Sequence, residues 1–168
     1  MNYIKITKND IANGPGVRCV LWVAGCDLRC KNCHNSSTWN FNSGKQFDDA
    51  AKNELFEALG KNYIQGITLS GGHPLAKQNR STIYFLLKEL KQKFPTKDVW
   101  LYTGYKWEDI KNIREITHIL CYVDVLVDGP YIEEQRDITL KFRGSRNQRV
   151  INMKETLKQN KIITIQND

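Results

Sequence analysis

The sequence predicts an α/β fold, an open and incomplete (βα) barrel built on a mostly parallel sheet. Apolar segments typical of buried strands alternate with segments of helical period, as in βαβ units. The strand segments are apolar throughout, which favours a sheet covered on both faces. A full eight-stranded barrel takes about 250 residues. This chain has 168, so the barrel should be incomplete.

Four segments are predicted strands, and each has a glycine at its end or next to it. The first covers residues 17–25 and directly precedes a group of cysteines. The others cover residues 66–72, 98–105 and 122–130, and contain Gly-Gly, Thr-Gly and Asp-Gly pairs near their ends. Right-handed crossovers place the carboxyl ends of parallel strands on the same edge. The cysteines and the three glycine turns should therefore meet on one rim, where parallel α/β folds build their sites.

Helical spacing of apolar residues fills the intervals between these strands. One helix should begin at Asp48 and stop before Gly60, and a second, over residues 83–94, should be closed by Pro95. A shorter helix is predicted over residues 107–113. The tail, residues 153–168, indicates a weak helix and a possible last strand.

Residues 1–168 should form a single domain, since we find no internal repeat, low-complexity tract or linker. We see no apolar run near the roughly 20 residues that span a bilayer. The first ten residues mix charged and apolar side chains, unlike a signal peptide. We therefore expect a cytoplasmic protein with no membrane partner. The net charge of +7 is compatible with nucleic acid, an anionic substrate or an acidic partner, and does not choose among them.

Three of the five cysteines, Cys26, Cys30 and Cys33, form a C-x3-C-x2-C pattern. The other two, Cys19 and Cys121, lie in apolar runs and are predicted to be small core residues. A disulfide framework is disfavoured because the number of cysteines is odd, three are crowded together, and the expected compartment is reducing.

Three roles remain possible for the three cysteines: a zinc site, a redox pair and an iron–sulfur cluster. Structural zinc needs four ligands, usually from two paired motifs, and adjacent Cys33 and His34 fit one tetrahedron poorly. A redox pair of Cys30 and Cys33 leaves Cys26 without a role. Three thiolates suit a cluster with one iron left open for a substrate. Spacing alone favours the cluster and zinc equally.

The pattern of cysteines after one strand and Gly-Gly-x-Pro after the next resembles the radical S-adenosylmethionine superfamily. Six segments in order between Asn13 and Arg149, about four-fifths of the chain, resemble more narrowly the activating proteins of anaerobic ribonucleoside-triphosphate reductases. They are NGPGVRCVLWVAGC, CHNSSTWNFNSG, LSGGHPL, YTGYKWEDI, DVLVDGPYIEE and FRGSRNQR. The fold implied is a single domain of the radical S-adenosylmethionine type.

This resemblance implies an oxidoreductase with a 4Fe-4S cluster bound by Cys26, Cys30 and Cys33. The fourth iron would chelate S-adenosylmethionine, whose reductive cleavage gives a 5′-deoxyadenosyl radical. That radical would take a hydrogen from a glycine of the reductase's glycyl radical subunit. The implied partners are that reductase and an electron donor such as a flavodoxin-type protein, without direct contact to nucleic acid. No catalytic residue is implied beyond the cluster ligands.

The resemblance also assigns contacts to the cosubstrate. Glycines after a strand let the backbone approach a ligand closely, and the loop around the last cysteine would lie near the adenosyl group. Asp128 would contact the ribose or a partner, with capping or turn formation as the alternative. The expected contacts are Asn32, Cys33, His34, Ser70, Gly71, Gly72, His73 and Asp128.

Two of these residues depart from the superfamily pattern. His73 stands where an acidic residue usually faces the cosubstrate's ammonium group, so we expect binding to weaken below about pH 6.5, where histidine becomes charged. Asn32 stands where an aromatic residue is common, so backbone groups would make that contact. Arg143, Arg146 and Arg149 form a basic group for the cosubstrate carboxylate, for an acidic patch on the reductase, or for solvent alone.

Two rival functions remain. The first is activation of another glycyl radical enzyme, of the formate-lyase type, or a small carbacyclic synthase acting on a pterin. The second is a zinc-binding, basic nucleic-acid module, whose paired zinc motifs and interleaved aromatic residues are not found in this sequence.

Overall fold

The computed structural model describes residues 1–165, which form one seven-stranded sheet with helices packed against it. The strands are β1 (Asn2–Asp10), β2 (Val17–Val23), β3 (Lys45–Gln46), β4 (Ile64–Gly71), β5 (Asp98–Tyr102), β6 (Val125–Asp128) and β7 (Arg149–Asn152). The α-helices are α1 (Asp49–Leu59), α2 (Lys77–Lys93), α3 (Trp107–Ile110), α4 (Arg114–Leu120) and α5 (Met153–Gln159).

The sheet is mixed and is not closed. Its order is β3-β1-β2-β4-β5-β6-β7, with β3 and β7 at the edges. The four central strands β2, β4, β5 and β6 are parallel, and β1, β3 and β7 pair antiparallel. The predicted α/β class and the parallel centre are thus confirmed. The antiparallel strands were not predicted.

A row of leucines crosses the parallel strands on the face that the helices cover. In successive strand pairs, Leu21 is paired with Leu69, Leu69 with Leu101, and Leu101 with Leu126. All four are fully buried in the main core, and burial of each leucine stabilises the fold by about 1.5–3 kcal/mol. These contacts fix the register of the central strands and therefore the positions of their carboxyl ends.

The opposite face of the sheet is also covered. Trp100 packs edge-on against Phe142 at a ring distance of 5.3 Å, and Val127 and Val150 join the same cluster. Phe142 comes from the loop between β6 and β7. Burial on both faces explains why the central strands are mostly apolar and why their polar residues Arg18, Thr68 and Ser70 are buried.

Helix α1 follows its prediction closely. Asp48 caps its start by accepting a hydrogen bond from the Ala51 backbone N–H at 2.9 Å, and Gly60 lies at its end. The region predicted as one helix over residues 107–113 instead holds the short α3, and an unpredicted helix, α4, follows it.

The tail and one cysteine also differ from expectation. After α5, Thr164 forms a single bridge to Ile151, and the remainder of the possible last strand, residues 166–168, lies outside the described residues. Cys19 is buried as predicted, but the prediction for Cys121 was wrong. Its side chain is exposed because it follows the last turn of α4. Among residues 1–165, no helix is long and apolar enough to cross a membrane.

Candidate functional site: a cysteine-lined cleft

The loops after β2 and β4 are joined backbone to backbone. Gly72 N–H donates to the Val23 carbonyl at 2.8 Å, and His73 N–H donates to the Gly25 carbonyl at 2.7 Å. A Cβ on Gly72 would lie 2.5 Å from the Gly25 oxygen, closer than real contacts allow. Glycine is therefore required here for the close approach of the two loops.

Asn79, in the first turn of α2, ties the same two loops together. Its side-chain amide donates to the carbonyls of Ala24 and His73, both at 3.0 Å, and the residue is almost completely buried. The sequence analysis missed this residue. A signal was present, because Asn79 lies four residues before Ile83 and so shares the buried face of that helix.

The three cysteines of the motif line one cleft, and each is partly exposed. The residues directly before the second and third cysteines, Arg29 and Asn32, have φ angles of 47° and 55°. This left-handed conformation is uncommon outside glycine, and asparagine tolerates it better than most residues. Asn32 thus shapes the loop through its backbone.

The opposite wall of the cleft comes from the carboxyl ends of the other parallel strands. It contains Ser70 and Gly71 at the end of β4, Gly72 and His73 directly after it, Thr103 and Gly104 after β5, and Gly129 after β6. The predicted meeting of cysteines and glycine turns on one rim is therefore confirmed. Sequence reasoning did not single out five further lining residues: Leu28, Asn35, Tyr102, Tyr131 and Gln148. The last four lie within the segments that carry the resemblance, which was the signal that could have found them.

Three of the predicted cosubstrate residues lie outside the cleft lining. Asn32 and His34 are exposed on the cysteine loop. Asp128 is fully buried, and its carboxylate accepts a hydrogen bond from the Trp107 backbone N–H at 2.8 Å. Asp128 thus caps α3, which was the alternative role considered for it.

The basic group is mostly paired within the chain. Arg149 donates to Asp128 and, through two nitrogens at 2.8 Å each, to Glu108. Arg146 pairs with Asp137 at 3.0 Å. Among the described residues Arg143 has no acidic partner, and its Nε is buried without a hydrogen bond. Of the three arginines, Arg143 is therefore the one without an acidic partner among the described residues.

His73 is almost completely buried, and both of its ring nitrogens are engaged. Nε2 lies 2.8 Å from the Thr103 hydroxyl, and Nδ1 lies 3.4 Å from an Asp27 carboxylate oxygen. Burial lowers the pKa of His73 below its ordinary value, and Asp27 opposes this only in part. Protonation therefore requires a pH below the 6.5 expected from the sequence.

The spacing of potential metal ligands bears on the choice between zinc and a cluster. Among the described residues, ligand atoms of Cys26, Asp27 and His73 lie within 4.8 Å of one another, and Cys30 and Cys33 do not join that group. Three thiolates on one tetrahedral zinc stand about 3.8 Å apart, given a Zn–S bond of about 2.3 Å. The three thiols are therefore not arranged around a single ion.

Comparison with known proteins identifies the family. A family model described as a 4Fe-4S single cluster domain matches residues 12–151. The chain is 49% identical over 150 residues to the anaerobic ribonucleoside-triphosphate reductase-activating protein of Enterobacteria phage T4, covering 89% of this chain and 93% of the relative. The chain belongs to the family of anaerobic ribonucleoside-triphosphate reductase-activating proteins.

Bacterial members of this family match over the same length at a lower identity. The proteins of Haemophilus influenzae and Escherichia coli K12 carrying that name are each 41% identical over 150 residues, covering 88% of this chain and 96% of the relative. The region matched by the family model contains every residue that lines the cleft, from Cys26 to Gln148. The resemblance inferred from the sequence motifs is confirmed.

Proposed function

We propose that this chain is a radical S-adenosylmethionine activase that generates a glycyl radical on anaerobic ribonucleoside-triphosphate reductase. The observation that carries the proposal is one cleft lined by all three motif cysteines and by the Gly-Gly segment after β4. Family membership supports the reductase as partner, because the relatives are named as its activating proteins. The electron donor would be a flavodoxin-type protein, in a reducing cytoplasm that keeps thiols free.

The donor set fits a 4Fe-4S cluster. Cys26, Cys30 and Cys33 are free thiols facing one cleft, and thiolates are the usual ligands of such clusters. Because each cysteine of a cubane binds a different iron, its sulfurs need not converge within the spacing of one zinc site. Three ligands leave one iron for an exogenous group.

The opposite wall would take the cosubstrate. Ser70, Gly71 and Gly72 bring backbone groups to the cleft, and Cys33 lies across from them. Cys26, Cys30 and Cys33 would hold the cluster, which, with one electron from the donor, would supply reductive cleavage of the S-adenosylmethionine C–S bond to methionine and a 5′-deoxyadenosyl radical able to take a hydrogen atom from a glycine of the reductase. The protein's own contribution is to hold these groups, orient them and limit competing reactions.

The family match supports a finer description of the fold. The four parallel strands with their crossovers, between open antiparallel edges, would be the incomplete (βα) barrel of the radical S-adenosylmethionine type, within a single domain of residues 1–168. Asn32 and His34 flank Cys33, which lines the cleft, and their backbone groups would lie near the adenosyl moiety. We assign no ribose contact to Asp128, because its carboxylate caps α3.

The test uses the chain purified without oxygen and reconstituted with iron and sulfide. With S-adenosylmethionine, a reductant and the anaerobic reductase, we expect 5′-deoxyadenosine and a glycyl radical signal by electron paramagnetic resonance. Cys30→Ser should abolish both products, whereas Cys121→Ser, a change at an exposed cysteine outside the cleft, should leave both unchanged.

Two results would contradict the proposal at different levels. A colourless protein carrying one zinc ion would exclude the cluster. A protein that cleaves S-adenosylmethionine but produces no radical on the reductase would instead be the activase of another glycyl radical enzyme, as in the formate-lyase type.

A further inference from the structure

The acidic residue that the superfamily pattern places after Gly-Gly is histidine in this chain. His73 cannot take over as a hydrogen-bond acceptor for an ammonium group, because Thr103 and Asp27 already engage its two ring nitrogens. The residue is 1% exposed, and a neutral ring supplies no negative charge. A cationic ligand in the cleft therefore needs an anion from another residue.

Asp27 is the carboxylate at this position. One carboxylate oxygen of Asp27 lies within 4.8 Å of both the Cys26 sulfur and a His73 ring nitrogen. Cys26 and His73 both line the cleft. Asp27 lies beside the cleft and not in its lining, but its side chain is 53% exposed, so it is not sealed behind the histidine. Among the described residues, no lysine or arginine pairs with Asp27, and its one recorded ion-pair contact is with His73.

His73 is placed to orient this carboxylate. Thr103 Oγ1 accepts a hydrogen bond from the Tyr105 backbone N–H at 3.2 Å, which leaves the threonine hydroxyl proton to donate to His73 Nε2. The Nδ1–H then faces Asp27 at 3.4 Å. In this tautomer the neutral His73 donates a hydrogen bond to one carboxylate oxygen of Asp27. The second oxygen then remains to contact a cation.

We propose that Asp27 supplies the negative charge that binds the α-ammonium group of the amino-acid cosubstrate, with His73 as the residue that positions it. This inference rests on the proposed function, since it assigns the cation as S-adenosylmethionine. The charge that the superfamily carries after Gly-Gly has moved to the cysteine loop, and the hydrogen bond between Asp27 and His73 keeps it beside the same cleft.

The test measures cosubstrate affinity, not turnover. Reconstituted wild type and Asp27→Asn are titrated with S-adenosylmethionine by anaerobic calorimetry. A hydrogen bond to a charged group is worth about 10- to 100-fold in affinity, so we expect Asp27→Asn to raise Kd by that factor. The double variant Asp27→Asn/His73→Asp, which returns the charge to the superfamily position, should recover most of the loss.

Two controls separate a local effect from general damage. Asp109→Asn removes the same charge from an exposed position on α3 and should leave Kd unchanged. The ligand 5′-methylthioadenosine lacks the amino-acid portion, so wild type and Asp27→Asn should bind it equally. Iron content and visible absorbance show whether Asp27→Asn still holds the cluster.

Several outcomes would overturn the inference. They are an unchanged Kd in Asp27→Asn, a loss that the double variant does not recover, equal weakening toward 5′-methylthioadenosine, or loss of the cluster from Asp27→Asn. Each would mean that Asp27 does not bind the ammonium group or acts only on the cysteine loop. Failure of the proposed function gives a different result, because wild type itself would then bind no S-adenosylmethionine.

Discussion

Replacing Asn79 with alanine should destabilise the fold at the junction of the two loops that form the cleft. The side-chain amide makes two buried hydrogen bonds of 3.0 Å, to the carbonyls of Ala24 and His73. Each such bond contributes about 0.5–1.5 kcal/mol, so removing both costs about 1–3 kcal/mol. The higher helix propensity of alanine returns at most about 0.7 kcal/mol.

The expected net loss is about 0.3–2.3 kcal/mol, which corresponds to a fall in Tm of about 1–9 °C for a chain of this size. The assay is urea unfolding of the cluster-free chain followed by circular dichroism, with thermal unfolding as a second measurement. The matched control is Gln78→Ala, the exposed neighbour of Asn79 on α2, which should change stability by less than about 0.5 kcal/mol. If Asn79→Ala is as stable as Gln78→Ala, Asn79 does not join the two loops energetically.

Three further predictions concern other parts of the structure. Gly72→Ala places a methyl group 2.5 Å from a backbone oxygen of the cysteine loop, so we expect a loss of about 1–3 kcal/mol in urea unfolding and less iron bound per chain. The hydrogen bond from Arg149 lowers the pKa of Glu108 from 4.5 to about 2. Its stabilisation is therefore complete above pH 4.5 and lost as the pH falls toward 2, so the stability difference between wild type and Glu108→Gln should shrink over that range. Burial raises the pKa of Cys19 to about 11, so a thiol reagent should modify exposed Cys121 in the folded chain and reach Cys19 only after unfolding.

Each of these predictions can fail clearly. Wild-type stability in Gly72→Ala would show that the loops can separate without cost. A stability difference for Glu108→Gln that stays constant between pH 4.5 and 2 would show that the pair with Arg149 does not shift the carboxylate's pKa. Modification of Cys19 as fast as Cys121 in the folded chain would contradict the burial of Cys19.

The sequence by itself determined the parts of this protein that local signals encode. Apolar runs ended by glycine located the four parallel strands, and the rule that their carboxyl ends share an edge brought Cys26, Gly72 and Thr103 to one cleft. The spacing of the cysteines also raised the iron–sulfur cluster as an alternative to zinc. Such features depend on residues close in the chain or on a general rule of chain connection.

Only the tertiary structure decided which polar side chains meet. Asp27 and His73 are 46 positions apart, and Asn79 reaches a carbonyl 55 positions away. The sequence gives no periodic signal for such pairs, since their geometry follows from the register of β2 against β4 and the packing of α2. The same reason explains why Asp128, placed correctly at the rim by its strand, turned out to cap α3. The chain's short-range pattern specifies where the cleft lies, and long-range packing specifies which charges face it.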